Sequence, residues 1–363
     1  MAAIHGSSDP EFNRLRDILQ ERLSSGDEVG ASICVNIDGR NVLDIWGGHA
    51  DAAKTRPWEE DTLVVVYSCS KVVCALAALI LVDRGLLDVE ENVSKYWPEF
   101  AANGKEDTKV WHILSHCSGV PHWNKRLPLE TIYDTKASTE MLAEQAPWFK
   151  AGEASAYQMQ FIADEIAGPL DADFRLGVPE KDWPRTADMI SPPPTPLPQI
   201  DPQSVAGRVL ANLIANAEDS HTPEFRAAEV GSSNGFTNAR ALARIGSIAS
   251  LKGTVDGKMY IGPKSIDQMI QERISGLDQV LFSYVRFGLG VGLPVPGPTA
   301  FIPEGNICFW GGWGGSIVVM DLDRRMTVAY TMNKMGAGLV GNDKVKAYLE
   351  AIYEIMAAKS IST

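Results

Sequence analysis

A serine and a lysine three residues apart, where an apolar segment leads into a helix, constrain this chain more than any other feature. Ser68 and Lys71 follow the apolar residues 63–67 and precede the apolar residues 72–82. The first segment predicts a short strand. The second predicts a helix buried on nearly all sides that ends at Gly85, a residue suited to a left-handed cap. Residues three apart in a first helical turn share one face, so the hydroxyl and the amine are expected to lie side by side.

This pair is typical of nucleophilic catalysis. A helix N-terminus favours negative charge developing near Ser68, and burial lowers the pKa of a lysine so that it acts as a neutral base near pH 7. The alternative is a plain helix N-cap at Ser68 with Lys71 on a solvated face. Lys71 is the only charge between Asp61 and Asp83, and an isolated charge there needs a partner or a role.

Composition indicates an ordinary globular protein. The 363 residues are 45% hydrophobic and 22% charged, enough for one large or two medium domains. A net charge of −13 argues against nucleic-acid and membrane partners. The first six residues do not resemble a secretory signal, and residues 72–82 are too short to span a bilayer. Five scattered cysteines predict reduced thiols in a cytoplasmic protein: Cys34, Cys69, Cys74, Cys117 and Cys308.

The order of helical and strand patterns predicts the fold class. Helical periodicity occurs over residues 11–25, 238–250 and 343–357. Strand patterns occur over residues 31–37, 41–48, 307–310, 316–321 and 326–332. The sequence thus predicts an α/β (α+β) fold, in which an antiparallel sheet built from both termini is flanked by helices and carries an inserted, mostly helical domain.

The same order gives domain boundaries. Residues 1–66 plus 251–363 are assigned to the sheet domain, and residues 67–250 to the mostly helical domain. The proline-dense residues 191–198 are expected to cross the surface as a stiff connector. Ser68 then lies at the seam between the domains, where sites often form.

A glycine-rich segment over residues 310–316, Trp-Gly-Gly-Trp-Gly-Gly-Ser, is placed at the start of a strand. Glycines allow close approach of a substrate, and an exposed strand edge offers N–H groups for an oxyanion hole. Packing of a glycine-rich bulge beside a tryptophan is the structural alternative.

Taken together, the motifs resemble the serine β-lactamase/penicillin-binding protein superfamily. The resemblance is greatest to its class C β-lactamase-like branch, which includes the family VIII carboxylesterases. It extends over nearly the whole chain, in order, through residues 68–71, 85–88, 93–98, 114–119, 166–170, 234–235, 239–240, 288–290 and 310–312.

The resemblance implies roles for particular residues. Ser68 would be acylated, Lys71 would take its proton, and the family's second base, a tyrosine, would be Tyr157. Trp310, Gly311 and Gly312 match the third motif, which is Lys-Thr-Gly in β-lactamases. Loss of that lysine removes a cation that would hold a β-lactam carboxylate, which favours neutral esters.

The oxyanion hole implied by the family would be the backbone N–H groups of Ser68 and Trp313. Trp310 and Trp313 are expected to lie at the site and to favour an apolar acyl or alcohol group. No cofactor or metal is implied.

One departure from the family pattern follows Tyr157. Members usually carry a helix of about two dozen residues before the segment that matches 161–166, whereas here only residues 158–160 intervene. Met159 also occupies the position of the usual asparagine of the Tyr-x-Asn motif. Either this is a natural deletion, which would alter the support of Tyr157, or a segment is missing from the sequence.

Two competing patterns are weaker. Residues 231–235 fit the Gly-x-Ser-x-Gly elbow around Ser233, but no buried strand is predicted before them. His112 and His116 have helical spacing and His122 lies nearby, but no further ligand completes a zinc site, so His116 is interpreted as structural.

The function predicted is a serine hydrolase of the carboxylesterase type, which cleaves small-molecule esters through an acyl-enzyme on Ser68. An acyltransferase of secondary metabolism that uses the same intermediate is the first alternative. A non-catalytic or weakly active descendant is the second. The natural substrate, β-lactam activity and oligomeric state remain open at this level.

Overall fold

The computed structural model describes residues 3–157, 170–192, 200–212, 216–338 and 341–361. The α-helices are α1 Asn13–Ser25, α2 Ser70–Asp83, α3 Val110–Leu114, α4 Leu129–Tyr133, α5 Thr135–Glu144, α6 Val205–Asn212, α7 Pro223–Ala227, α8 Ala239–Ser250, α9 Pro263–Met269 and α10 Asp343–Ile361. The strands are β1 Ile4–Ser8, β2 Gly30–Ile37, β3 Arg40–Gly48, β4 Val64–Val65, β5 Arg175–Leu176, β6 Gly235–Thr237, β7 Thr254–Val255, β8 Lys258–Met259, β9 Ile274–Leu277, β10 Tyr284–Phe287, β11 Ile307–Gly311, β12 Ile317–Asp321 and β13 Met326–Met332.

A six-stranded antiparallel sheet in the order β1-β3-β2-β13-β12-β11 joins the two ends of the chain. Its central contact pairs β2 with β13, so that Ile33 lies opposite Tyr330. The predicted hairpin turn between β2 and β3 is present, and Asp38 and Gly39 have φ of 51° and 85°. Left-handed residues at both turn positions match the twist of the flanking strands. The predicted fold class is confirmed.

Helices cover both faces of the sheet. On one face the ring of Tyr348 in α10 packs 5.2 Å from that of Tyr330 in β13. On the other face α8 packs on β2, β12 and β13. Gly246 of α8 allows this approach, because a Cβ there would lie 2.8 Å from the Thr327 side chain and 3.1 Å from that of Val318.

Three local predictions needed correction. Strand β1 was not predicted, because only Ile4 of its five residues is strongly apolar; it is an edge strand whose main tie is the ladder to β3. The glycine-rich segment begins at the end of β11 and forms the turn to β12, rather than lying only at the start of a strand. Helix α10 continues to Ile361, four residues beyond the predicted end.

The predicted division into domains remains a prediction. Between α2 and β6 the described residues form short helices, turns and the two-residue strand β5. In contrast, α8, which the predicted boundary places with the helical domain, packs on the sheet. Most of the proline-dense segment lies outside the described residues, which stop at 192 and resume at 200. No helix among the described residues is long and apolar enough to cross a membrane.

Substitution of Gly246 by leucine is expected to push α8 away from the sheet and to lower the free energy of unfolding by about 1–3 kcal/mol through overpacking. Denaturant unfolding followed by circular dichroism measures this. Lys346→Leu is the control, because its side chain on α10 is 55% exposed and its ion pair with Glu350 is a weak surface contact. Equal unfolding free energies for the two variants would contradict the packing argument.

Candidate active site

Ser68 lies in a 3₁₀ turn, Tyr67–Cys69, that leads directly into α2. Tyr67 has φ of 43°, a left-handed conformation that is rare for an aromatic residue. The Ser70 hydroxyl holds this turn, since it donates to Tyr67 O at 2.5 Å and accepts from Gly235 N at 2.9 Å. The backbone before the candidate nucleophile is therefore fixed from β6, which lies far away in sequence.

Lys71 is buried against the candidate nucleophile. Its ammonium Nζ lies 3.0 Å from Ser68 Oγ and 2.8 Å from the carbonyl oxygen of Ser232. Burial lowers its pKa from 10.5 to about 7. A large fraction of Lys71 is thus neutral at pH 7, with a lone pair available 3.0 Å from the serine hydroxyl.

The loop before β6 supplies the Ser232 carbonyl. Asn234, which is fully buried, holds this loop: its side-chain amide donates to Phe225 O at 3.1 Å and to Ala228 O, and its Oδ1 accepts from Val230 N at 2.9 Å. Ser233 is only half-buried, and residues 228–234 form no strand. The segment that fits the elbow pattern therefore orients the Ser232 carbonyl towards Lys71.

Tyr157 comes to the same serine from a different part of the chain. Its hydroxyl donates a hydrogen bond to Ser68 Oγ, and Lys71 Nζ lies 4.9 Å from the centre of its ring. Burial raises the pKa of the phenol above its ordinary value of 10, so Tyr157 is a proton donor at neutral pH. The three residues predicted as catalytic thus meet around one oxygen atom.

Backbone contacts hold the segment that carries Tyr157 from two sides. Ala156 N donates to His116 O at 2.9 Å, and Gln279 N donates to Ser155 O at 3.1 Å. These contacts fix the chain directly before Tyr157. The unusual connection predicted at residues 158–160, and the matching segments up to residue 169, lie outside the described residues.

His116 packs among aromatic rings rather than among metal ligands. Its ring is stacked on Trp310 at 5.2 Å and lies 5.0 Å from the ring of Tyr157. Burial lowers its pKa to about 3, so the ring is neutral. The backbone of residues 114–119 is hydrogen-bonded to residues 288–290, which also match the family, since Gly290 N donates to Leu114 O at 3.0 Å. Among the described residues, no group of three or more histidine, cysteine or acidic side chains is arranged to hold a metal ion.

The β11–β12 turn passes beside the serine. A Cβ on Gly312 would lie 2.2 Å from Val66 O, so only glycine allows this approach, and Cys69 Sγ donates to Trp310 O at 3.5 Å. The ring of Trp313 meets that of Tyr67 edge-on at 5.3 Å. Among the backbone hydrogen bonds between described residues, neither Ser68 N nor Trp313 N is a donor.

Comparison with known proteins identifies the family of this site. The sequence model of the beta-lactamase family matches residues 15–159 and 159–351. The chain belongs to the beta-lactamase family. It is 28% identical to the esterase/beta-lactamase LipL of Mycobacterium tuberculosis over 382 aligned residues, which cover 94% of this chain and 85% of that protein.

Two solved structures have the same fold over nearly all of this beta-lactamase family chain. A family VIII carboxylesterase is 31% identical, with a TM-score of 0.90, over 97% of this chain and 100% of that one. A penicillin-binding protein homologue from Caulobacter crescentus is also 31% identical, with a TM-score of 0.88 and the same coverage. The resemblance inferred from the motifs is confirmed.

Sequence reasoning missed three features of the site. It did not predict the Ser232 carbonyl contact, the stacking of His116 on Trp310, or the attachment of residues 278–279 to the tyrosine segment. The contacts of Ser232 and Gln279 are made by backbone atoms, which leave no signature in residue type. A faint signal for the first was the match of Asn234-Gly235 to the family pattern.

Replacement of Asn234 by alanine is expected to lower the free energy of unfolding by about 1–3 kcal/mol, because three backbone groups, Val230 N, Phe225 O and Ala228 O, lose the amide as a hydrogen-bond partner. Chemical denaturation measures this. Ser233→Ala, one residue away and half-buried, is the matched control, and we expect a change below about 0.5 kcal/mol. An equally large loss in the control would show that the loop tolerates no change, and would remove the special role of Asn234.

Proposed function

We propose that this protein is a serine esterase that cleaves small neutral esters through an acyl-enzyme on Ser68. The observation that carries the proposal is the contact of Lys71 Nζ with Ser68 Oγ at 3.0 Å, made by an amine whose pKa lies at about 7. A buried neutral amine within hydrogen-bond reach of a hydroxyl is a general base for a nucleophile. The esterase and carboxylesterase names of the similar proteins support the same activity.

In the proposed acylation step, Lys71 takes the proton of Ser68 as Ser68 Oγ attacks the ester carbonyl carbon. The negative charge that develops on the carbonyl oxygen would be stabilised by the N–H groups of Ser68 and Trp313. Tyr157, a neutral phenol in contact with Ser68 Oγ, would donate its proton to the leaving alcohol oxygen and regain one from Lys71. Water activated by the same pair would then release the acid.

The position of Trp310 favours neutral substrates. Trp310 occupies the place of the lysine in the third motif of β-lactamases, so the cation that would bind a carboxylate is replaced by an indole. The ring packs on His116, which is neutral. The proposed substrates are accordingly esters without a negative charge near the scissile bond.

Acyl transfer to an alcohol shares every step up to the acyl-enzyme, and differs only in the acceptor that enters. Analysis of products with and without an added alcohol separates transfer from hydrolysis.

We further propose that the protein acts on a small molecule in the cytoplasm. Its five cysteines are all buried free thiols.

Ser68→Ala is expected to reduce the hydrolysis of p-nitrophenyl butyrate by a thousandfold or more, an order of magnitude typical for loss of a nucleophile. Release of nitrophenol is measured. The matched control is Ser233→Ala, which changes the serine of the elbow pattern and should keep wild-type activity. Loss of activity only in the control would overturn the assignment of the nucleophile, and an inactive wild-type protein would favour a non-catalytic role.

The pH dependence of kcat/KM tests Lys71. Because its neutral form is the base, activity should rise with pH through a pKa of about 7 and fall as the amine is protonated below it. Hydrolysis of ethyl butyrate between pH 5 and pH 9 gives the profile. Lys71→Arg, always protonated, should be inactive over this range. A profile that stays flat between pH 5 and pH 9 would exclude Lys71 as the base.

A further inference from the structure

An apolar pocket with a cavity volume of about 80 Å³ opens beside the candidate active site. Tyr157 and Trp310 form part of its wall, and the rest comes mainly from β10, β11 and the segment after Gly292. The apolar residues of that wall include Leu281, Phe287, Leu293, Val295 and Phe309.

Two polar side chains in the wall, Arg286 and Thr299, already have partners within the protein. Arg286 donates to Glu272 at 2.6 Å and to Pro294 O at 3.0 Å, so its charge is paired. Thr299 Oγ1 accepts from Val295 N at 2.7 Å. A charged ligand would therefore have to displace these contacts, whereas an apolar ligand would not.

The hairpin β9–β10 extends this apolar surface to the outside. Leu277, Phe282 and Tyr284, which we call the apolar rim, are 67%, 54% and 50% exposed. Leu277 lies directly opposite Tyr284 in the hairpin, so the two side chains share one face. Tyr284 also lines the cavity. Large apolar side chains that remain exposed next to a pocket are typical of a ligand-binding surface.

Tyr157 indicates which part of a substrate lies here. Its hydroxyl contacts Ser68 Oγ and its side chain lines the cavity. In the proposed mechanism the bond between the carbonyl carbon and the alcohol oxygen breaks, and that oxygen takes the proton of Tyr157. The alcohol portion must therefore lie on the Tyr157 side, next to the cavity, while the acyl group stays on Ser68.

We propose that the cavity and the apolar rim bind the alcohol portion of the ester, and that the preferred substrates are esters of uncharged alcohols with long alkyl or aryl groups. This inference rests on the proposed esterase function. Transfer of each methylene group into an apolar site favours binding by a factor of up to about four.

Two substrate series test the proposal on the intact chain. One series keeps the butyryl group and lengthens the alcohol from ethyl to butyl, hexyl and octyl. The other keeps the ethyl group and lengthens the acid over the same range. Proton release gives kcat/KM. We expect a rise of about two- to fourfold per methylene in the alcohol series, and a flatter dependence in the acid series. A rise only in the acid series would overturn the proposal.

Variants of the rim give a second readout. Leu277→Ser, Phe282→Asn and Tyr284→Ser combined should lower the ratio of octyl to ethyl butyrate kcat/KM about tenfold. Asparagine suits the position of Phe282, whose φ is 51°. Met259→Ser and Leu86→Ser remove apolar side chains that are 65% and 63% exposed elsewhere, and should leave the ratio unchanged.

The outcomes separate this inference from the proposed function. Hydrolysis in both series, abolished by Ser68→Ala but without a preference for long alcohols, would overturn only the assignment of the cavity. An unchanged octyl-to-ethyl ratio in the rim variant would overturn the role of the hairpin. Absence of hydrolysis in every member of both series would overturn the proposed function and this inference together.

Discussion

The buried amine of Lys71 is the constraint on which the rest of the site depends. An ammonium group in this position would be costly to bury without a carboxylate, and burial accordingly brings its pKa to about 7. Two oxygen atoms lie within hydrogen-bond distance of it, Ser68 Oγ and Ser232 O. The apolar character of α2 therefore has a chemical consequence as well as a structural one: it keeps the amine out of water and lowers its pKa.

The residues around Lys71 come from three separate parts of the chain, and hydrogen bonds to other segments hold each of them. Ser70 joins the turn at Ser68 to β6, and Asn234 shapes the loop that supplies the Ser232 carbonyl. Backbone hydrogen bonds from residues 116 and 279 to residues 155–156 hold the segment that ends in Tyr157. The β9–β10 hairpin connects the candidate catalytic residues to the cavity. It supports the segment before Tyr157 and also lines the apolar wall. The proposed substrate pocket and the proposed proton transfer thus share one scaffold.

Much of this arrangement was accessible from sequence because it follows from local patterns. The periodicity of residues 72–82 predicted the buried helix, and Ser68 and Lys71 were placed side by side by helical geometry alone. The β2–β3 hairpin followed from Asp38-Gly39 between alternating residues. Tyr157 was different: no local pattern identified it, and only the resemblance of the whole chain to a family assigned it to the site. Strand β1 was missed since its five residues carry little apolar pattern of their own.

The sequence by itself determined the fold class, the family and the neighbouring serine and lysine, because these depend on periodicity, on short spacings and on the order of motifs. Only the tertiary structure decided that Tyr157 reaches Ser68 Oγ from 89 residues away, and that Ser232 presents its carbonyl to Lys71. It also decided that the hairpin after residue 274 forms the wall of a cavity. These contacts join distant segments, one of them through a backbone oxygen, so their residue types do not reveal which segments meet. The physical reason is that packing of the whole chain, and not local preference, sets the distances between such groups.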